Sequence, residues 1–423
     1  MDTIETGFGT KDISVGTWPR DDTSRIPLWV YSDRDNYQRE LDRIFYGPHW
    51  HFIGIDTEVP NSGDYKRATV GERSVLMLRD ENGSVNVVLN SCAHKGTEVC
   101  QSKFGNQNPI ICPYHQWAYD LQGNLKSVPF RKGVKGLGGF PADFDLADHK
   151  LKPLKVANVN GGIWATFDHG APSFEDYIGP VMLKYMKRVF NGKKLRVLGY
   201  ERQRLRGNWK MYMENIKDPY HATLLHVFLI SFGIYRIDQK GVYEQDERTH
   251  AHTVFASVRD TNPDPAAAQE MLSLKSNYEL LDPRMVIPVK EFPDDISIMI
   301  QTLFPNLVVQ QQTNSLQLRY VTPLGPDEFE LTWTYLGYQD DDEEMKLRRL
   351  RQANLTGICG YISVDDSEVL EFSGAGTRPN RGGQAVVEFG GRDPSAPEGA
   401  HQFTESAIRG FYHFYRQVMG YSA

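Results

Sequence analysis

Two short cysteine–histidine boxes constrain the fold of this chain more than any other feature. Cys92-Ala93-His94 is followed, seventeen residues later, by Cys112-Pro113-Tyr114-His115, which gives the pattern C-x-H…C-x2-H. Two thiolates and two imidazoles can hold either a tetrahedral zinc ion or a [2Fe–2S] cluster. Each box supplies one Cys and one His, so two loops can clamp a cluster from opposite sides. A zinc finger instead places both cysteines in one arm. On spacing alone, both kinds of metal centre remain open.

The sequence around the boxes predicts a small antiparallel β domain. Residues 74–79 and 85–89 are apolar runs joined through Asn82-Gly83, which is a strong hairpin signal. Residues 117–121 and 125–128 flank a second turn. Short strands separated by turn residues are typical of a compact β module.

The second half of the chain predicts an antiparallel sheet covered by helices. Helical patterns occupy residues 174–190, 208–226, 340–355 and 404–419, whereas 296–338 predicts several strands. Two segments, 374–383 and 393–399, predict exposed loops. The fold class is therefore α+β.

The length of the chain implies more than one core. At 423 residues the chain is longer than the chains that usually fold around a single hydrophobic core. We expect an N-terminal helical segment at 1–45, the β domain at 46–168 and the larger domain at 169–423.

A second group of possible metal ligands lies in the segment predicted to be helical at 208–226. His221 and His226, with a carboxylate, could hold one iron and leave positions open for O2 and substrate. The two histidines are five residues apart, which on a straight helix separates them by about 140°. Sharing a metal therefore requires a bend or break, and Pro219 makes one plausible. The alternative is two buried histidines bonded to backbone carbonyls.

The two clusters together resemble a known family. The first resembles a Rieske domain, although Lys95 stands where an Arg is usual and Gln116 where a Gly is usual. The second matches N-x-x-D-x-Y-H-x4-H followed far downstream by D-D, a pattern of Rieske non-haem iron ring-hydroxylating oxygenases. The resemblance covers nearly the whole chain and implies the large (alpha) subunit, with a helix-grip-like catalytic domain.

The resemblance also implies the ligands of each metal centre. The [2Fe–2S] ligands are Cys92, His94, Cys112 and His115, and the Fe²⁺ ligands are His221, His226 and Asp366. Asp365 is expected to have a solvated or supporting role.

Two polar residues near the iron are further expected site residues. Asn215 and Asp218 match family positions. By resemblance, Asp218 accepts a hydrogen bond from His115 of one chain and from His221 of its neighbour. The alternative for Asp218 is an ordinary residue on a helix surface.

Within the family, the chain looks closest to the branch that acts on aromatic carboxylates: anthranilate dioxygenase, salicylate hydroxylases and terephthalate dioxygenase. Segments 214–226, 310–319 and 404–412 carry this similarity. A buried carboxylate needs a cation, and an Arg can bind it through two hydrogen bonds. Arg319 is the first candidate and Arg409 the second, with a structural salt bridge as the alternative for each.

The reaction expected first is dioxygenation of anthranilate to catechol, with loss of ammonia and CO2. Salicylate hydroxylation and a terephthalate-type dihydroxylation are alternatives, as are O-demethylation and a non-enzymatic Rieske electron carrier. The choice among these acids depends on the shape of the substrate pocket, which would be set by apolar residues if they line it: Met213, Val227, Phe228, Phe232 and Met299.

The resemblance implies partner proteins. NADH electrons would arrive through an external ferredoxin reductase and ferredoxin, since the chain has no G-x-G-x-x-G opening a βαβ unit. A small (beta) subunit would complete an α3β3 assembly, and an assembly of large subunits alone is the alternative.

Charge and hydropathy restrict where the chain acts. A net charge of −7 argues against nucleic acid or an anionic membrane as partner. Residues 1–12 do not resemble a signal peptide, and the longest apolar stretch, 223–235, is too short to span a bilayer. We therefore expect a soluble, cytoplasmic protein.

Two further cysteines and two further pairs of histidines are not expected to bind a metal. Cys100 and Cys359 lack ligand spacing and are expected to be buried thiols. The pairs His49/His51 and His250/His252 are expected to face solvent.

Overall fold

The computed structural model describes residues 16–260, 262–395 and 401–421, which contain five antiparallel sheets. The elements of the first half are β1 Arg25–Pro27, α1 Arg34–Glu40, β2 His51–Ile55, β3 Asp64–Val70, β4 Arg73–Arg79, β5 Val85–Leu89, β6 Phe104–Asn106, β7 Ile110–Ile111, β8 Ala118–Tyr119, β9 Leu125–Ser127, β10 Lys155–Val159, β11 Gly162–Thr166 and α2 Phe174–Met186.

The predicted β module is present. Its sheets have the orders β5-β4-β3-β6, β7-β8-β9 and β10-β11-β2. The hairpin through Asn82-Gly83 is confirmed: Arg79 pairs with Val85, and Gly83 has a φ of +80°, which suits glycine. The second hairpin is also present, but its strands are shorter than predicted.

The elements of the second half are β12 Leu195–Arg206, α3 Trp209–Ile216, α4 Pro219–Leu225, α5 Val227–Ser231, β13 Gly241–Gln245, β14 Thr253–Val258, α6 Pro265–Glu270, β15 Ile296–Leu303, β16 Leu307–Gln312, β17 Ser315–Pro323, β18 Glu328–Tyr338, α7 Glu343–Thr356, α8 Ser363–Thr377, β19 Gln384–Val386 and α9 Ser406–Met419.

One seven-stranded antiparallel sheet organises this half, in the order β12-β18-β17-β16-β15-β14-β13. Successive side chains of a strand point to opposite faces. Val309 accordingly packs with α2 on one face, whereas Val308 belongs to the core that contains α3 and α9 on the other. Helices thus cover both faces of an antiparallel sheet, which confirms the α+β class.

The N-terminal segment packs against the second half of the chain. β1 pairs with β19, and Trp29 and Tyr37 lie in the same core as Tyr415 of α9. Helix α1 continues into one π-helical turn at Leu41–Phe45.

Several predictions about individual segments are wrong. Helix α8 was not predicted, and its last turn occupies the start of the segment expected to be the 374–383 loop. Part of the other predicted loop, 396–399, lies outside the described residues. Cys100 is buried as expected, but Cys359 is exposed because it lies in the turn between α7 and α8.

The histidines expected to face solvent are mostly buried. His49, His51 and His252 are buried, and the Nδ1 of His252 accepts a hydrogen bond from the Phe304 backbone N–H at 3.0 Å. Among the described residues, no helix combines the length and apolar character needed to cross a bilayer.

Candidate active site

The segment predicted as one helix over 208–226 is broken twice. Helix α3 ends at Ile216, α4 begins at Pro219, and α5 begins at Val227. His226 lies between α4 and α5 with φ −88° and ψ 90°, outside the helical region. Because the chain leaves the helical conformation at His226, the imidazoles of His221 and His226 do not point in the different directions that a straight helix would give them. The predicted irregularity is confirmed, and it falls at a ligand as well as before Pro219.

Three side chains converge beyond this break. Oδ1 of Asp366, in the first turn of α8, lies 3.3 Å from Nε2 of His221 and 3.2 Å from Nε2 of His226. One ligand atom from each residue falls within a common distance of 4.8 Å. Two imidazole nitrogens and one carboxylate oxygen are the donor set of a non-haem iron facial triad. The three residues therefore fit a mononuclear iron.

Both histidines are also contacted on their far side. Oδ2 of Asp365 lies 3.3 Å from Nδ1 of His226, and Oδ2 of Asp218 lies 3.4 Å from Nδ1 of His221. The Asp218 contact is an ionic approach without aligned hydrogen-bond geometry. Carboxylates placed behind metal-binding imidazoles fix the orientation of the ring.

Asn215 completes the near surroundings of the triad. Its Nδ2 lies 3.2 Å from both Nε2 of His221 and Oδ1 of Asp366. Its Oδ1 is buried and has no partner among the described residues.

The electrostatics of this cluster favour a bound cation. Burial disfavours the charged imidazole, but Asp218 and Asp366 outweigh it and raise the pKa of His221 to about 10. Burial also opposes ionisation of Asp366, yet the two imidazoles hold its pKa well below the usual range. Three carboxylates around two histidines carry excess negative charge that a divalent ion would offset.

The first predicted cluster is assembled by two loops of the β module. Cys92 and Cys112 are buried, whereas His94 and His115 are partly exposed, with their Nδ1 atoms 3.2 Å apart. The sulfurs thus lie on the inner side and the imidazoles on the outer side. Among the described residues, only the His221 triad brings three such ligand atoms within 4.8 Å. Two sulfurs on one side and two imidazoles on the other fit a two-iron cluster in which one iron would take both sulfurs and the other both nitrogens.

The loops depart from the common Rieske pattern without losing this arrangement. Gln116 adopts a φ of +57°, the conformation for which Gly is usual at this position. Lys95 places its Nζ 5.8 Å from the Tyr114 ring centroid.

A cavity adjoins the iron ligands. Its lining includes all three triad residues together with Ile298, Ile300, Gln310, Gln312 and Arg319. This lining contains none of the residues that the sequence suggested for the pocket, and Met299 packs on the opposite face of the sheet against α2; the five are Met213, Val227, Phe228, Phe232 and Met299. Sequence reasoning missed the isoleucines on either side of Met299, although strand alternation could have assigned them.

The structure separates the two predicted carboxylate-binding arginines. Arg319 is buried in the cavity lining, where it donates to the Tyr212 hydroxyl at 3.1 Å and to Oε1 of Gln310. Arg409, on α9, is absent from this lining. Its guanidinium donates to backbone carbonyls, those of Val387 and Asp393 among them.

Comparison with known proteins agrees with both metal centres. Residues 49–138 match the Rieske [2Fe-2S] domain, and residues 193–421 match the ring hydroxylating alpha subunit catalytic domain. The chain belongs to the ring-hydroxylating oxygenase alpha-subunit family. It is a Rieske non-haem iron oxygenase, with a [2Fe–2S] domain and a mononuclear iron domain.

Three curated relatives align over almost their whole length. The chain is 43% identical to a salicylate 5-hydroxylase large oxygenase component from Ralstonia sp, covering 95% of this chain and 96% of the relative. It is 40% identical to the anthranilate 1,2-dioxygenase large subunit of Burkholderia cepacia, covering 97% of each. It is 37% identical to a terephthalate 1,2-dioxygenase alpha subunit from Comamonas sp, covering 96% and 98%.

A solved structure of this family has the same fold. Naphthalene 1,2-dioxygenase from Rhodococcus sp. bound to indole superposes with a TM-score of 0.77 at 26% identity, covering 93% of this chain and 94% of that one.

Proposed function

We propose that this oxygenase hydroxylates an aromatic carboxylate whose carboxylate group is bound by Arg319. The observation that carries the proposal is a buried guanidinium beside the iron ligands whose hydrogen-bond partners, in the part of the chain that the structure describes, are neutral. Arg319 is 4% exposed and belongs to the same cavity lining as His221, His226 and Asp366.

The neighbours of Arg319 are neutral. It contacts the Tyr212 hydroxyl and the Gln310 amide, and its guanidinium carbon lies 4.3 Å from the Trp333 ring centroid. Within residues 16–260, 262–395 and 401–421, its hydrogen bonds go to these two neutral side chains and its Nε donates to nothing. A buried charge without a counter-charge is costly, so a carboxylate ligand would complete this site.

The relatives support the same chemical class. Salicylate, anthranilate and terephthalate, which appear in the names of the three curated relatives, are all aromatic carboxylates. Dioxygenation of anthranilate to catechol, predicted from the sequence, remains a candidate reaction. Salicylate hydroxylation and terephthalate-type dihydroxylation remain its alternatives.

The residues of the cavity would then have separate tasks. Iron held by His221, His226 and Asp366 would supply the activation of O2. Arg319 orients the acid, and Ile298 and Ile300 give the aromatic ring an apolar wall that excludes water.

We further propose that Asp218 links the two metal domains between chains. Its side chain begins α4 by accepting from the Tyr220 backbone N–H at 2.9 Å and faces His221 with its other oxygen. In an α3β3 assembly it would also accept from His115 of a second copy. Asp218→Asn should keep both irons and allow cluster reduction, yet slow reoxidation of the cluster by substrate and O2; unchanged reoxidation would refute the link.

The proposed system has external partners. Electrons from NADH would reach the Rieske cluster through a ferredoxin reductase and a ferredoxin, and a small subunit would complete the cytoplasmic oxygenase. Names such as "large oxygenase component" among the relatives agree with a multicomponent system.

Equilibrium binding to the iron-loaded, oxidised enzyme tests the central proposal. By calorimetry, benzoate should bind about 100-fold more tightly than benzamide, since only the acid pairs with Arg319. Arg319→Met should abolish that difference, whereas Arg202→Met, at an exposed cation on β12, should preserve it. Unchanged benzoate affinity in Arg319→Met would refute the proposal.

A further inference from the structure

Three side chains in the cavity lining form a continuous hydrogen-bonded series, which we call the amide chain: Arg319, Gln310 and Gln312. Arg319 donates through Nη2 to Oε1 of Gln310, and Nε2 of Gln310 donates to Oε1 of Gln312 at 2.7 Å. All three are buried and face the cavity from the same side of the sheet. The series ends at Nε2 of Gln312, which has no acceptor among the described residues.

The direction of the amide chain is fixed by its first member. A guanidinium can only donate hydrogen bonds, so the Gln310 atom that faces it has to be the oxygen. Gln310 therefore presents its NH2 group to Gln312, and Gln312 has to turn its own oxygen inward to accept. The orientation of each amide, usually ambiguous, follows here from the cation. Gln312 consequently presents an N–H donor at the end of the series.

We propose that Gln312 selects substrates carrying, besides the carboxylate, a ring substituent that accepts a hydrogen bond. The enzyme would then prefer hydroxybenzoates to the corresponding aminobenzoates. This inference rests on the proposed function, because Arg319 has to hold the acid for the second contact to form. It places salicylate ahead of anthranilate, the reverse of the order expected from the sequence.

The chemistry of the two substituents explains the preference. A phenolic hydroxyl keeps lone pairs on oxygen and can accept from Nε2 of Gln312 while donating elsewhere. An aromatic amine delocalises its nitrogen lone pair into the ring and presents mainly N–H donors. Donor would face donor, and the buried amide of Gln312 would remain unpaired, with a cost that corresponds to about tenfold or more in affinity.

Binding of matched pairs to the iron-loaded, oxidised enzyme tests this selection. The panel is benzoate and its 2-, 3- and 4-hydroxy and 2-, 3- and 4-amino derivatives, with dissociation constants measured by calorimetry. In at least one pair, the hydroxy acid should bind about tenfold more tightly than the amino acid, and that pair reports the ring position facing Gln312. Equal or tighter binding of the amino compound in every pair would overturn the inference.

Two variants assign the preference to Gln312. Gln312→Leu keeps the volume but removes the donor, so the affinity ratio of the selective pair should fall to near one. Gln312→Glu replaces the donor by an acceptor and should shift the ratio toward the amine. A ratio unchanged in both variants would also overturn the inference. The control is Gln317→Leu: Gln317 pairs with Gln310 across β16 and β17 but is absent from the cavity lining, so the ratio should persist.

The panel distinguishes failure of this inference from failure of the proposed function. If benzoate binds in an Arg319-dependent manner and no hydroxy preference exists, only the role of Gln312 is refuted. If benzoate itself does not bind, the proposed function fails first.

Discussion

Nδ1 of His226 lies 3.3 Å from Oδ2 of Asp365, the residue immediately before the iron ligand Asp366. Both carboxylates belong to the first turn of α8, where acidic residues favour helix formation. One imidazole is thus held by two consecutive residues, with Asp366 on its Nε2 and Asp365 on its Nδ1.

Asp365→Ala should weaken iron binding without removing a ligand. The Nδ1 of His226 would lose its acceptor and the ring its orientation, which typically lowers metal affinity 10- to 100-fold. Iron retained after dialysis against graded chelator measures this effect. Glu368→Gln, on the same helix, is the control and should retain iron normally. Equal retention in Asp365→Ala and the native protein would contradict the supporting role.

Arg409→Met should destabilise the fold and leave ligand binding intact. The substitution removes the Arg409 donors to the carbonyls of Val387 and Asp393, while the Phe389 carbonyl keeps its bond from the Glu405 backbone N–H. We expect a loss of roughly 2–4 kcal/mol in the free energy of unfolding. Urea unfolding measures this loss, and benzoate affinity of the folded variant should match that of the native enzyme. A selective loss of benzoate binding would instead place Arg409 in the substrate site.

Glu214 should make stability fall as the pH rises. Burial raises its pKa to about 7, against the opposing hydrogen bonds from Tyr412 and Tyr31. The folded state therefore favours the protonated acid. Its contribution is complete below the unfolded pKa near 4.5 and is lost as the pH rises through about 7, by roughly 3 kcal/mol in total.

Thermal unfolding between pH 5 and 8 tests this linkage. Glu214→Gln should remove this part of the pH dependence. The melting temperature of the variant minus that of the native protein should therefore increase as the pH rises. Glu343→Gln, at an exposed position on α7, should follow the native profile. Parallel profiles for Glu214→Gln and the native protein would contradict the assigned pKa.

Tyr119 should raise the potential of the Rieske cluster. The Ala93 backbone N–H donates to the Tyr119 hydroxyl at 3.1 Å, which leaves the hydroxyl proton for Cys92 Sγ, also at 3.1 Å. Hydrogen bonds to cluster sulfurs favour the reduced state. Tyr119→Phe should lower the midpoint potential on the order of tens of millivolts, whereas Tyr114→Phe, at an exposed position in the same region, should not. A redox titration would show an unchanged potential in Tyr119→Phe if the bond had no effect.

The sequence was most informative where chemistry demands a rare combination of residues. The spacing of His221 and His226 required a distortion, and the structure has one at His226 itself. The location of the break could not be predicted, because no Gly or Pro marks it. At this position the His226 ring contacts Asp365 and Asp366, which are far away along the chain and so leave no local signal.

Predictions failed where burial depends on long-range packing. His252 accepts from the Phe304 N–H across neighbouring strands, a contact that local pattern does not reveal. Met299 is one of the residues suggested for the pocket, but alternation along β15 directs Ile298 and Ile300 there instead. Asp365 and Asp366 at the start of α8 indicate the beginning of a helix as well as a metal ligand, because acidic residues are enriched in the first helical turn.

The bend at His226 sets a condition for anyone who would transplant this iron centre into another scaffold. On an uninterrupted helix, ligands four residues apart differ by only about 40° in direction, so such a graft would need one residue fewer between the histidines. Copying the native interval without the bend would point the second imidazole away from the metal.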